Sequence, residues 1–358
     1  MHVAVVHNDV AGTKGPDELD VLVQAKAVKE ALEELGHRAS NVVCTLDLKE
    51  VRRRIEAFAP DVVFNLVEAL DGHGRLIHLF PFLLDALRLP YTGSPAEAIV
   101  ATSHKVMAKE HMKAAGMPTP QWIGPYPRGA YSSKGITDCK VFEATWIIKS
   151  LWEHASVGLD ETGIVKGQTA EEILALLRLK ADGLGGACFA ERFIEGREFN
   201  ISVIAGPGGP VILPPAEIIF EDYDETMPRI VDYRAKWDET SFAFQHTPRQ
   251  FDFAPADEAL LHAIKALTLD CWKIFGLNGY GRVDFRVDSQ RQPWILEVNT
   301  NPCLSPEAGF AAALKQGGLT FTEAIERILE DAFPSNCRRA GQGQANHPGR
   351  GCGPTGAT

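Results

Sequence analysis

The chain has 358 residues, enough for two or three domains with sizeable cores. Its formal net charge of -11 argues against a nucleic-acid-binding surface, although local Lys and Arg clusters can still hold phosphates. Seven cysteines stand singly without C-x-x-C spacing, which fits neither a zinc site nor a disulfide framework and suits reduced thiols. No apolar run approaches the roughly 18 residues a membrane span needs, and the opening segment lacks the charged and long apolar regions of a signal peptide. A cytoplasmic protein with no nucleic-acid or membrane partner is expected.

Residues 2 to 7 read as a strand. From Asp17 onward Val21, Ala25, Val28, Ala31, Leu32 and Leu35 recur at helical spacing until Gly36 stops the helix. Residues 41 to 45 make a second strand, 48 to 58 a helix and 61 to 67 a third strand, so strand and helix alternate as in a small parallel α/β domain. No G-x-G-x-x-G follows the first strand, and a dinucleotide site is not supported. A short helix over 76 to 87 leads to the turn cluster at 90 to 94, which marks the first domain boundary. Glu18 follows the loop after the first strand and Glu68 follows the third, where ligands enter open α/β sheets. A helix-start acid or an exposed loop charge is the other reading of each.

Lys105 lies early in a helix predicted over 103 to 115, which Gly116, Pro118 and Pro120 end; by itself it reads as a surface lysine. Lys149 differs, because it closes the apolar strand Trp146-Ile147-Ile148 and needs an anionic partner. The loop from Trp152 to Gly158 follows, and its Ser156 and Gly158 allow backbone amides to approach a phosphate. A strand at 163 to 166 and a helix at 171 to 179 complete this unit. The segment 188 to 198, with Glu191, Phe193, Ile194 and Glu198, suits either an adenine and ribose site between two lobes or an ordinary strand and turn. Strands are expected at 199 to 205 and 211 to 219. An acidic loop then leads to Tyr233, Lys236 and Trp237, and a helix carries Leu260, Leu261, Ile264, Leu267 and Cys271 on one face.

Residues 281 to 299 form the stretch on which the rest depends. Val283, Phe285 and Val287 alternate with Arg282, Asp284 and Arg286, and Trp294, Leu296 and Val298 alternate with Ile295, Glu297 and Asn299. A symmetric hairpin about residues 289 to 292 sets Asp284 opposite Glu297 and Arg282 opposite Asn299. Facing carboxylates repel, at a cost of up to about 1 kcal/mol, unless a cation lies between them. Asp284, Glu297 and Asn299 therefore suit Mg²⁺, with Mn²⁺ as the alternative, and the implied partner is a nucleotide phosphate. The competing reading is the solvated face of an edge hairpin, against which Pro302 weighs by turning the chain just after the last ligand. A helix at 321 to 333 ends the fold, and residues 334 to 358, almost without apolar side chains, are expected to form a disordered tail.

Together these segments resemble the ATP-grasp superfamily and, within it, the D-alanine–D-alanine ligase family, over about residues 2 to 330. The motifs are residues 90 to 94, Lys149 with Ser156-Val157-Gly158, the segment from Glu191 to Glu198, Arg282-Val283-Asp284, and Glu297-Val298-Asn299-Thr300-Asn301-Pro302. The resemblance implies an α/β (α+β) ATP-grasp fold with a Rossmann-like parallel N-terminal domain (1–95), a central lobe (96–195), a metal-bearing lobe (196–333) and a tail. It implies a carboxylate-amine ligase that phosphorylates one amino acid with ATP and joins it to the amine of another. Lys105, Lys149 and Lys236 would meet the phosphates, while Glu191, Phe193, Ile194 and Glu198 would hold adenine and ribose. Asp284, Glu297 and Asn299 would hold two magnesium ions. Arg282 would stabilise the tetrahedral oxyanion, Glu18 would receive the first amino group, and Ser156 would ride on the closing loop. Members are often homodimers.

Several positions depart from the family pattern. Trp237 stands where a Tyr joins the Glu and the loop Ser, and Cys303 where a Gly approaches the second substrate. Ala308 replaces a carboxylate-binding Ser, and the motif ending the first domain is altered to Asn65-Leu66-Val67-Glu68 and Asp71-Gly72-His73-Gly74. D-alanine is the default substrate. A ligase of the same mechanism for another amino acid, peptide or intermediate is the first alternative, and a non-catalytic nucleotide-binding protein is the second.

Overall fold

The computed structural model describes residues 1–13, 15–127, 144–166 and 169–333. The tail expected over 334 to 358 lies outside them. The first layer is a parallel sheet of order β2-β1-β3, from β1 (His2–Asn8), β2 (Arg38–Cys44) and β3 (Val62–Leu66). α1 (Pro16–Glu34), α2 (Leu48–Phe58) and α3 (Leu79–Leu87) accompany it. Burial on both faces explains why β1 and β3 read as nearly continuous apolar runs. Val3 and Phe64 pack with Val21, Val28 and Leu32 of α1 on one face, and Ala4 and Val63 with Ile55 of α2 and Phe80 of α3 on the other.

α4 (Ala96–Ser103) and α5 (Lys105–Ala114) follow, then β4 (Trp122–Tyr126), β5 (Thr145–Ser150), β6 (Ile164–Lys166), α6 (Ala170–Lys180) and β7 (Cys188–Arg192). The strands make an antiparallel sheet of order β4-β7-β5-β6, with Ile173 and Leu177 of α6 packed against Trp146 and Ile148. A six-stranded antiparallel sheet comes next, from β8 (Arg197–Ile204), β9 (Val211–Ile212), β10 (Ala216–Ile218), β11 (Arg249–Gln250), β12 (Tyr280–Val287) and β13 (Pro293–Asn299). α7 (Tyr233–Trp237), α8 (Phe242–Gln245) and α9 (Glu258–Phe275) lie between its strands in the chain, and α10 (Gly309–Gln316) and α11 (Phe321–Asp331) follow. Ile325 and Ile328 of α11 return to the core of the first sheet. No helix among the described residues is long and apolar enough to cross a membrane.

The differences from expectation have local causes. The helix expected over 103 to 115 is α5, with α4 before it. His104 forms the joint, leaving helical geometry at ψ 96° while its Nδ1 caps Met107 N at 2.9 Å. The strand expected over 211 to 219 is broken into β9 and β10 by Leu213-Pro214-Pro215, since proline cannot donate to a ladder. β4 escapes the sequence reading because Gly124 and Pro125 sit inside it, and α10 because it is short and lies between Pro306 and Gly317.

Candidate active site

β12 runs between β8 and β13, and the register places Asp284 opposite Glu297 and Arg282 opposite Asn299, as the spacing predicts. The hairpin is nevertheless not symmetric. A register shift follows Asp284, so that Phe285 faces Ile295. This bulge sends Ile295 into the core with Val283, Phe285 and Val298, and turns Leu296 toward the cavity beside Glu297. The expected grouping of Trp294, Leu296 and Val298 on one face is corrected accordingly.

Asp284 is buried, and three hydrogen bonds from two side chains hold its carboxylate. Arg282 forks onto it through Nε at 2.7 Å and Nη2 at 2.8 Å, and Asn200 Nδ2 donates at 2.9 Å. Burial pushes the Asp284 carboxyl up, Arg282 draws it down and the facing Glu297 pushes it up again. Glu297 is opposed by burial, but Lys105, Lys236 and Arg282 outweigh it and keep this carboxylate ionised. Asn299 Oδ1 accepts from Asn301 N at 3.0 Å, which ties down the turn before Pro302.

Among the described residues no group of three or more His, Cys, Asp or Glu side chains converges into a metal cage. An oxygen-donor pair of this kind suits a hard divalent cation that fills its shell with water and substrate phosphate. The residues present fit Mg²⁺ in that sense.

Asp284 and Glu297 open into a cavity between the four- and six-stranded sheets, a concave site lined by both apolar and charged side chains as small-molecule sites are. The predicted Lys105, Lys149, Ser156, Glu191, Phe193, Ile194, Glu198 and Lys236 all border it. Their contacts separate two kinds of role. Glu191 is 1% exposed and takes ion pairs from Lys149 at 2.6 Å and from the fully buried Lys109. Its carboxylate thus aims Lys149 into the cavity and is already engaged, which differs from direct contact with adenine or ribose. Glu198 pairs with Arg286 at 2.9 Å, and the Arg286 guanidinium lies 5.5 Å from the Phe193 ring centroid. Burial raises the Glu198 carboxyl despite Arg286. Lys105 Nζ donates to Glu153 O at 2.7 Å. Burial lowers both Lys105 and Lys236, with Glu297 pulling the other way.

The loop over residues 152 to 158 arches beside these lysines. Ala155 and Ser156 hold φ of 58° and 61°, and Ser156 Oγ donates to Val231 O at 3.0 Å. Gly158 has φ 68°, and a Cβ there would lie 2.6 Å from Leu184 Cδ2 and 2.7 Å from Gly183 O, so both dihedral and space require glycine. Trp237 Nε1 is buried and has no hydrogen-bond partner among the described residues.

Glu18 is not among the residues bordering this cavity. It sits at the start of α1 near Gly72, its pKa raised by burial and by Asp17. A network that sequence reasoning missed joins this edge to the turn after Pro302. Asp20 receives Cys303 Sγ at 2.9 Å and Ser305 Oγ at 2.6 Å, and Gln24 links Asp20 to Glu68. Lys109, Asn200, Arg286 and Tyr233 were missed as well. Lys109 left a trace in the sequence as a charge on the buried face of α5 shared by Val106 and Met112, and Arg286 as a member of the alternating face that carries Arg282 and Asp284.

Known proteins resemble this chain over most of its length. Residues 111–330 match the family model described as D-ala D-ala ligase C-terminus. A D-alanine–D-alanine ligase of Synechococcus sp. (strain JA-3-3Ab) is 31% identical over 329 residues, which cover 90% of this chain and 92% of the relative. A ligase of the same description from Methylococcus capsulatus is 32% identical over 315 residues, covering 87% and 91%. The crystal structure of D-alanine–D-alanine ligase from Bacillus anthracis complexed with ATP shares the fold, with a TM-score of 0.69 and 18% identity over 95% of this chain and 99% of that one.

Proposed function

Because the chain belongs to the D-alanine–D-alanine ligase family, with an ATP-grasp fold, we propose that it is an ATP-dependent ligase joining two D-alanine molecules. The carrying observation is the Asp284–Glu297 pair on β12 and β13, facing a cavity that Lys105, Lys149 and Lys236 also border. The carboxylate of the first D-alanine attacks the γ-phosphorus of ATP, releasing ADP and leaving an acyl phosphate. The amine of the second then attacks the acyl carbon, and phosphate leaves.

The lysines offset phosphate charge, Lys149 from a position fixed by Glu191. Mg²⁺ held by Asp284 and Glu297, with Asn299 as a further oxygen donor, would supply charge neutralisation at the phosphates. Arg282 keeps its fork on Asp284 through Nε and Nη2; in this reading its remaining Nη1 would stabilise the developing oxyanion. Phe193, Ile194 and Glu198 border the nucleotide end. Ser156 fixes the loop, and Glu18 is the candidate for the first substrate's ammonium. The three sheets are read as three domains, 1–95, 96–195 and 196–333, in a cytoplasmic enzyme that pairs as a homodimer.

The acceptor end favours a second reading, the same chemistry with a different acceptor. Ala308 caps α10 with no side-chain hydrogen bond, and Cys303 and Ser305 both donate to Asp20. The test is phosphate release from ATP and Mg²⁺ with D-alanine alone and with a panel of amino-acid pairs, products identified by mass spectrometry. D-alanyl-D-alanine from D-alanine alone supports the first reading. Phosphate release only with another pair supports the second, and no release with any pair contradicts both.

A further inference from the structure

One polar side chain on the cavity wall has no assigned use. His154 borders the cavity with the phosphate-facing lysines, and its Nε2 is shielded from solvent without a hydrogen-bond partner among the described residues. A buried ring nitrogen left unpaired is costly, and native structures keep few of them.

The backbone around His154 is fixed on both sides. Before it, Glu153 N donates to Ser150 Oγ at 3.0 Å, Glu153 O accepts from Lys105 Nζ at 2.7 Å, and the Glu153 carboxylate accepts from Gly74 N at 3.0 Å. After it, Ala155 and Ser156 are consecutive non-glycine residues with left-handed φ, a strained arrangement that persists only where surrounding contacts enforce it. Ser156 Oγ, tied to Val231 O, is one such contact.

Lys105, Lys236 and Arg282 disfavour a charged ring and Glu297 favours one. Burial, with Lys105 next, holds the imidazole down to about 4, so at neutral pH it adds no fourth cation. A neutral ring in a cation-rich pocket can still donate one N–H to an anion. Magnesium prefers oxygen ligands, which favours a phosphate oxygen over the metal as the partner of this nitrogen.

We propose that His154 Nε2–H donates a hydrogen bond to the phosphoryl group that ATP transfers, as a positioning contact among Lys105, Lys236 and Arg282. The inference rests on the reading of the cavity as an ATP site and adds to it a residue that distinguishes triphosphate from diphosphate.

The experiment is calorimetric binding of Mg²⁺ with ADP, and separately with the non-hydrolysable β,γ-imido analogue of ATP, to the full chain and to His154→Ala, His154→Gln and His154→Asn. A glutamine amide nitrogen reaches about where Nε2 lies, whereas an asparagine amide reaches only the Nδ1 position. Loss of one hydrogen bond to a charged oxygen should weaken the triphosphate analogue roughly 10-fold or more in His154→Ala, with ADP changed by less than about 2-fold. His154→Gln should recover most of the loss, and His154→Asn should not. Equal weakening of both nucleotides, or equal recovery by Gln and Asn, would mean that the ring only fills space in the loop and would overturn the inference. Wild-type protein that binds neither nucleotide overturns the ATP site and this inference together.

Discussion

The Tyr233 hydroxyl donates to Asp17 Oδ1 at 2.6 Å, joining the start of α7 to the first turn of α1. α7 also carries Lys236 to the cavity, so this bond couples the placement of a cavity-bordering lysine to the helix that holds Glu18. Tyr233→Phe should raise KM for the amino-acid substrate on the order of 10-fold, the value of one hydrogen bond to a charged group, with a smaller effect on kcat. Adding Asp17→Asn should cost little more, because both changes remove the same bond. Steady-state kinetics of the two single variants and the double variant checks this, and additive losses would contradict it.

Lys109 and Glu191 form a buried ion pair, with Lys149 as the second cation on the same carboxylate. Removing one partner of a buried pair leaves an under-compensated charge, typically at ~3 kcal/mol or more. Lys109→Met should therefore lose about that much stability in a urea titration, although Lys109 does not border the cavity. A loss below about 1 kcal/mol would place the pair among the weak ones.

Glu68 is raised to about 7 from an ordinary value of 4.5, by burial first and then by Asp20 and Asp17, against the hydrogen bond from Gln24. For an acid shifted upward the folded state holds more protons than the unfolded state between those two values. The associated stability is present in full below the unfolded value and is lost as pH rises toward 7. Glu68→Gln should remove this component, so wild-type Tm should fall relative to the variant as pH increases from about 4.5 to 7. Parallel Tm curves would contradict the shift.

Gly158→Ala places a Cβ against Leu184 and Gly183 O at a left-handed φ. The left-handed backbone alone costs ~1 to 2 kcal/mol, and the clash must also displace the loop that carries His154 and Ser156. Nucleotide affinity should drop with Tm, as read by calorimetry and thermal melts of one preparation. An unchanged affinity would mean that the loop does not shape the cavity.

Period-2 alternation makes the Asp284–Glu297 register legible in the sequence, because one face of each strand is buried and a slip would invert every side chain. The bulge at Leu296 is not legible there, since an extra residue in one strand leaves the apolar composition unchanged. Lys149 can be read because it ends an apolar strand, whereas the Lys109–Glu191 pair is separated in sequence and meets only when α5 packs beside β7. His154 carries no sequence signal at all. A lone histidine in a loop has no period, and only its unpaired nitrogen in the folded chain marks it. The Asp20 network is hidden for a similar reason, as its members come from α1 and from the turn after Pro302.

The most direct test of the ligase chemistry is isotope transfer. D-alanine labelled with ¹⁸O in its carboxylate is incubated with unlabelled ATP and Mg²⁺, and the released phosphate is analysed by mass spectrometry. Attack of the carboxylate on the γ-phosphorus followed by amine attack on the acyl carbon leaves one carboxylate oxygen in the phosphate, so each phosphate formed with dipeptide should carry a single ¹⁸O. Dipeptide accompanied by phosphate free of ¹⁸O would contradict the acyl-phosphate route and, with it, the roles of Arg282, Asp284 and Glu297 in that route.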